Sequence, residues 1–220
     1  MRVIEAGFDF LEPLYGAYIL RKLELCGRVC YKSEERITDD SAATFVRNII
    51  KNGHESVLEH VSFSIRFIVD RGVSHELVRH RLASFSQEST RYCNYGNDNE
   101  CTFIRPVFWG NTSKDSILHT NDQFCYERWV KEMQNVEDTY LHMVNNLGAT
   151  PQEARSVLPN SIKTEVIMTC NLREWRHVLK LRTSKAAHPQ MREVMIPLLE
   201  TLQEQIPVVF DDIVVVRYYD

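Results

Sequence analysis

The residues with the greatest capacity for chemistry lie together, in Arg79-His80-Arg81-Leu82-Ala83-Ser84-Phe85-Ser86-Gln87-Glu88-Ser89-Thr90-Arg91. Three arginines, a histidine and four hydroxyls fall within these thirteen residues, with Glu88 as the single acid. Guanidinium forks, hydroxyls and backbone N–H groups are the donors that hold phosphates and carboxylates. Only Leu82, Ala83 and Phe85 could serve a hydrophobic core, so the stretch is too polar for a core strand. It reads as an anion site, or as a surface arginine cluster paired with Glu76 and Glu88.

Two helices would position arginines toward such a site. Ser74 is expected to cap a short helix carrying Val73, Leu77, Val78 and Leu82, on whose apolar face Arg81 falls between Leu77 and Val78. An arginine turned inward needs an anion, an acid partner, or a helix that ends before it. The second helix opens at the cap pattern Asn171-Leu172-Arg173-Glu174 and sets Leu172, Trp175, Val178 and Leu179 inward, with Arg182 on the same side. A second inward arginine, with Arg155 and Arg173 nearby in sequence, favours an anionic ligand held between elements.

The remaining chain alternates strands and helices. Residues 2–8 fit a strand, Tyr15 to Cys30 a helix, and Asp40 or Ser41 caps a helix that Gly53 stops. Val61 to Phe67 alternates as a half-buried strand, Cys101 to Phe108 fits an edge strand because Pro106 cannot donate to a ladder, and 109–120 is a loop. Thr120 with Gln123 forms a capping-box pattern for the longest helix, which runs to Gly148 with a Met and aromatic stripe expected in the core or a subunit interface. Thr150-Pro151-Gln152-Glu153 opens a helix that ends at Pro159, Glu165 to Cys170 is β-rich, Gln190 to Gln205 is helical, and Ile213 to Tyr219 could form a strand. With no repeat or Gly/Ser linker, residues 1–220 are expected to form a single α/β (α+β) domain with a mixed sheet and several long helices.

Composition narrows the function classes. A formal charge of −4 argues against a protein that coats nucleic acid. The six cysteines form no CxxC pair and no zinc-type Cys/His spacing, the first residues lack the basic-then-apolar order of a signal peptide, and no run reaches the length of a membrane span. A reducing cytosol is the expected location. His54, Glu55, Glu59 and His60 tempt a metal assignment, but HExxxEH is not the HExxH of zinc proteases and no metal is expected.

Arg79-His80-Arg81, seven residues and then Ser89, followed by Arg91 and Tyr92, resembles the RHR-x7-S signature of the flavin-dependent thymidylate synthases. Gly53-His54-Glu55 with Glu59-His60, Ala154-Arg155 through Leu158-Pro159, and Asn171-Leu172-Arg173 with Leu181-Arg182 resemble the same family in the same order. The resemblance implies an interwoven homotetramer whose active sites draw on more than one subunit. It also implies conversion of dUMP to dTMP with FAD as cofactor and methylenetetrahydrofolate and NADPH as co-substrates, without nucleic acid or membrane partners. By position it assigns FAD contacts to Ser56, Arg79, His80, Arg81, Gln87, Asn171, Leu172, Arg173 and His177, and places His54 near flavin and folate. It assigns the dUMP pocket to Glu76, Leu77, Val78, Arg79, Gln87, Glu88, Ser89, Thr90, Arg91, Arg155 and Arg182.

The residue types suit that chemistry. Both ligands carry phosphates, and a uracil ring attacks through C5 only when a fixed positive charge stabilises its developing anion; Arg182 is the catalytic candidate. Ser89 has no evident activating base and is expected to donate a hydrogen bond, and Cys93 to pack. Two positions depart from the family pattern: Glu76 stands where Gln is frequent, and Ala187-His188-Pro189-Gln190 replaces Ala-Gln-x-Glu, which weakens a role for His188. The competing readings are a non-catalytic nucleotide- or nucleic-acid-binding module and a metal hydrolase built on His54, Glu55, Glu59 and His60.

Overall fold

A computed structural model of the chain describes residues 1–109 and 120–215; the expected loop at 109–120, its two end residues apart, and most of the expected terminal strand lie outside that range. The elements in order are β1 (Arg2–Ile4), β2 (Gly7–Phe10), α1 (Gly16–Val29), α2 (Ser41–Lys51), β3 (Ser62–Asp70), α3 (Arg71–Leu77), β4 (Ser84–Gln87), β5 (Thr102–Ile104), α4 (Thr120–Asn145), α5 (Pro151–Ala154), β6 (Lys163–Asn171), α6 (Leu172–Arg182) and α7 (Pro189–Gln205). Short 3-10 helices span Glu34–Arg36, Glu55–His60 and Arg155–Val157.

There are two sheets among the described residues, not one. β1 pairs in parallel with β5, Val3 opposite Phe103, and a four-stranded sheet has the order β2-β3-β6-β4. The expected strand at 2–8 is therefore two strands serving different sheets. The expected edge strand at 101–108 is the three-residue β5, which ends before Pro106. β6 alternates half-buried and buried residues along its nine positions and β3 does so from Phe63 to Val69, the period of a strand with one face in a core.

The chain divides into two units. The first comprises Met1–Gly7, Phe67–Arg79 and Ser86–Val166. Its core gathers Cys101, Phe103, Met133, Tyr140, Ala154 and Ile162, so the stripe of α4 is core at Met133 and Tyr140, while Phe124 and Leu147 near its ends are exposed. Buried Glu137, on the same helix, accepts the Cys101 backbone N–H at 2.7 Å. The Thr150 cap is as expected: the Glu153 carboxylate accepts from the Thr150 N–H at 2.8 Å and its hydroxyl at 2.7 Å.

Ser74 is not the cap of α3. Asp70, the last residue of β3, holds that place and accepts the Val73 N–H at 2.8 Å, while the Ser74 hydroxyl bonds back to the Arg71 carbonyl at 2.9 Å. The helix consequently starts earlier and stops at Leu77. Arg81 and Leu82 lie beyond it and both are exposed, so Arg81 is not on an apolar helix face. The stretch after Leu82, too polar for a core strand, forms β4 at the edge of the four-stranded sheet.

The second unit comprises Phe8–Arg66, His80–Phe85 and Ile167–Asp220. α1 packs on α2 at Gly27, where a Cβ would come within 2.6 Å of the Phe45 ring. The start of α1 abuts the end of α7, Gly16 lying directly against the Gln205 carbonyl. Leu198, Leu199 and Leu202 of α7 and Leu172, Trp175, Val178 and Leu179 of α6 are fully buried. Burial of this size drives the helices together and outweighs intrinsic propensity.

Candidate active site

In the second unit, the site is built on α6. The Asn171 side chain accepts the Glu174 N–H at 2.9 Å and fixes the first turn. Trp175 stacks on Phe63 at 5.1 Å between centroids, and its indole N–H donates to the Phe63 carbonyl at 3.3 Å, which sets the roll of the helix. The opposite face then presents Arg173, His177 and Lys180 to a cavity of about 740 Å³, which Glu55, Glu59, Leu82, Asn171, Glu174 and Arg176 also line. Asn171, Arg173 and His177, three of the residues assigned to FAD, thus share one cavity. A second cavity of about 330 Å³ is lined by Gly27, Phe45, His54, Ser56 and Arg173 among others, and so collects two further assigned residues.

The acids of the tempting metal motif are held by arginines. Glu59 accepts from Arg173 at 2.6 Å with both side chains about half exposed, and Glu55 accepts from Arg176 at 3.2 Å. Arg176 is buried and also bonds Asp212 through both terminal nitrogens, at 2.6 and 2.8 Å, and the Val209 carbonyl. Bonds from Arg176 hold the Asp212 carboxyl below its ordinary range. Sequence reasoning missed Arg176. It sits one helical turn beyond Leu172, at the border of the apolar stripe, but its partners are distant in sequence.

His80 is 6% exposed, and its Nε2 accepts the Arg182 Nε–H at 3.0 Å. Its Nδ1 lies 3.7 Å from the Glu174 carboxylate, and its ring is edge-on to His177 at 6.0 Å between centroids. Burial foremost, then the charge of Arg182 and His177, pushes the imidazole down to about 4, so it is neutral at pH 7. Arg182 itself is half-buried, the inward placement its spacing implies. His80, Glu174 and His177 bring three potential metal-ligand atoms within 4.8 Å of one another.

In the first unit, the stretch after β4 is tied down by hydrogen bonds. The Gln87 amide donates to the Ser74 hydroxyl at 2.9 Å and the Thr164 hydroxyl at 3.3 Å. Glu88 accepts from the Tyr95 hydroxyl at 2.8 Å and Lys163 at 3.0 Å, and these three residues line a polar cavity of about 490 Å³ with Arg2, Asp98 and Glu100. Burial and the neighbouring Glu88 push the Tyr95 hydroxyl far above its ordinary range, so it stays a donor. The Ser89 hydroxyl accepts the Arg91 N–H at 3.3 Å, and Arg91 donates through Nε to Gln152 at 2.9 Å while lying over the Tyr92 ring. Thr90 is buried, Glu76 half-buried, and Arg79, Arg91 and Arg155 are exposed. Leu77 and Leu172 are fully buried, so only their backbones can meet a ligand; Val78 is exposed.

Membership of the units separates the assigned ligands. Of the FAD set, only Arg79 and Gln87 fall in the first unit; of the dUMP set, only Arg182 falls in the second. His188, whose role the sequence leaves weak, caps α7, its Nδ1 accepting the Gln190 N–H at 3.3 Å. No helix among the described residues is long and apolar enough to cross a membrane.

Residues 19–208 match the family described as thymidylate synthase complementing protein. The flavin-dependent thymidylate synthase of Pyrococcus furiosus is 36% identical over 176 residues, covering 79% of this chain and 68% of the relative. That of Geobacter sulfurreducens is 33% identical over 195 residues, covering 86% and 79%. Among solved structures, thymidylate synthase X from Helicobacter pylori with FAD and dUMP matches with a TM-score of 0.71 at 21% identity, covering 94% of this chain and 97% of that one. The UMP/dUMP methylase PolB from Streptomyces cacaoi, bound with 5-Br dUMP, matches with a TM-score of 0.76 at 22% identity, covering 96% of each. At those identities the two structures carry the fold, a mixed α/β arrangement, and the sequence matches carry the family. The family match spans the Arg79–Arg91 stretch and the whole of α6, and the chain belongs to the thymidylate synthase complementing proteins, the flavin-dependent thymidylate synthases.

Proposed function

We propose that this chain makes dTMP from dUMP, using FAD, methylenetetrahydrofolate as carbon donor and NADPH as reductant. The observation that carries the reading is the family match over residues 19–208, within which Arg182 is held by a neutral, buried His80. The donor set suits a flavin nucleotide: Arg173 and Arg81 for the pyrophosphate, Asn171 and His177 for polar contacts, with Ser56, His54, Arg79, Gln87 and the His80 and Leu172 backbones completing the set. When bound, FAD supplies the hydride.

The chain's own residues bind, orient and polarise. Arg79, Arg91 and Arg155 are exposed cations suited to the dUMP phosphate. Ser89 and Thr90 donate hydrogen bonds to the nucleotide, and Arg182 places fixed positive charge against the uracil where negative charge develops at the carbonyl oxygens. A half-buried guanidinium gains strength from its surroundings, because the local dielectric is below that of water. Glu88 acts indirectly, since Tyr95 and Lys163 already engage its carboxylate.

The assembly is a homotetramer whose subunits share active sites. Exposure of Leu82 at 76% and Tyr92 at 77%, both flanking arginines assigned to ligands, supports a partner surface there. The six free thiols support a reducing cytosol as the location. Purified protein should absorb in the flavin region, and reduced enzyme given dUMP and methylenetetrahydrofolate should yield dTMP. A colourless protein that takes up no FAD would defeat the reading.

A further inference from the structure

A guanidinium can stabilise charge at one atom only if its plane is fixed, and an arginine side chain at a helix end has four torsions to lose. Arg182 is the last residue of α6 and Glu174 lies in its first turn, eight residues earlier, too far along the axis for the two to meet. His80 bridges them. Its Nε2 takes the Arg182 Nε–H at 3.0 Å, so that nitrogen carries a lone pair. In a neutral imidazole the single proton must then sit on Nδ1, the nitrogen 3.7 Å from the Glu174 carboxylate. Both side chains are almost fully buried, with 5% of the His80 side chain and 7% of that of Glu174 exposed, so little water screens the attraction of the carboxylate for that N–H.

Taking Arg182 as the polarising group, as proposed above, we propose that Glu174 is a positioning residue: it selects the Nδ1–H tautomer of His80, so that Nε2 always presents an acceptor to Arg182 and fixes the guanidinium plane. An imidazole with its proton on Nε2 would direct a donor at another donor and turn Arg182 away. The same His80, Glu174 and His177 have the spacing of a divalent-cation site. A guanidinium donating to His80 at 3.0 Å puts positive charge there, however, and the tautomer that accepts it has no lone pair on Nδ1. A relay through three side chains fits both facts.

The test uses flavin-loaded enzyme with 15N-labelled histidine, in the parent, Glu174→Ala and Glu174→Gln. The parent should show His80 as the Nδ1–H tautomer, and Glu174→Ala should show a mixture or the Nε2–H form. With flavin still bound, Glu174→Ala should lose roughly 10- to 100-fold in kcat, the cost of a misplaced group, with the KM for dUMP moving far less. Glu174→Gln, whose side-chain carbonyl can keep the negative end of its dipole toward Nδ1, should restore most of the rate and the tautomer. The proposal is overturned if Glu174→Ala keeps the parent tautomer and kcat, or if Glu174→Gln with bound flavin is as impaired as Glu174→Ala. Should the parent make no dTMP, the functional reading fails by itself, and the tautomer comparison still decides the place of Glu174.

Discussion

Substituting the buried histidine by one that cannot titrate, His80→Asn, should change how the fold responds to acid. The native imidazole is pushed down to about 4 from an ordinary 6.5, first by burial and then by Arg182 and His177. Below pH 6.5 the unfolded chain takes up a proton that the folded chain refuses, so stability falls as pH falls, and the loss stops once pH drops below the native value. At about 1.4 kcal/mol per pH unit, that interval is worth about 3 kcal/mol, most of it already spent at pH 4.5. Urea titrations of flavin-stripped protein at one protomer concentration, at pH 7 and pH 4.5, would measure it, with the emission of buried Trp175 as probe. Other groups titrate in both proteins, so the quantity of interest is the difference between them. His80→Asn should lose about 2 to 3 kcal/mol less than the parent over that range. Equal losses in the two proteins would refute the assignment of a buried, neutral His80.

Three further outcomes follow from packing and charge. Arg182→Ala should abolish dTMP formation while leaving most of the flavin bound, read by turnover and absorbance on one sample. Gly16→Ala places a methyl against the Gln205 carbonyl, where backbone rather than a side chain must give way, and should cost roughly 1–3 kcal/mol or more by thermal or urea unfolding. Arg176→Met leaves Glu55 and Asp212 without their shared cation; because the Asp212 side chain is 47% exposed and can rehydrate, the loss should be about 2 kcal/mol, below that of a fully buried pair.

Much of the fold was legible where one signal acted alone. The helices at α1, α2, α4 and α7 followed their apolar periods, and Asn171 and Thr150 acted as the caps their positions imply. Ser74 failed for a physical reason: its hydroxyl found a carbonyl three residues back, and Asp70, at the end of β3, supplied a carboxylate instead. β4 carries one apolar residue in four, and an edge strand held by backbone bonds leaves too weak an alternation to read. At the site, the spacing placed Arg182 inward, and resemblance named both it and His80. The bond between them crosses 102 residues and had no local signature. Glu174 read only as the last residue of the cap pattern that opens at Asn171, and its approach to His80, 94 residues earlier, had no local signature either.

The ion pair between Arg173 and Glu59 has a consequence for how tightly an anion can be held. The large cavity of the second unit is lined by Glu55, Glu59 and Glu174 as well as Arg173, Arg176 and Lys180, so its walls carry as many carboxylates as cations. A phosphate that reaches Arg173 does not meet a vacant charge; it competes with Glu59 for it. Binding there is an exchange of counter-ions, and the displaced carboxylate returns to water, where at about half exposure it is already largely hydrated. Affinity for a nucleotide cofactor should therefore respond to ionic strength less than the number of arginines suggests, and Glu59 becomes a setting for how readily the cofactor leaves.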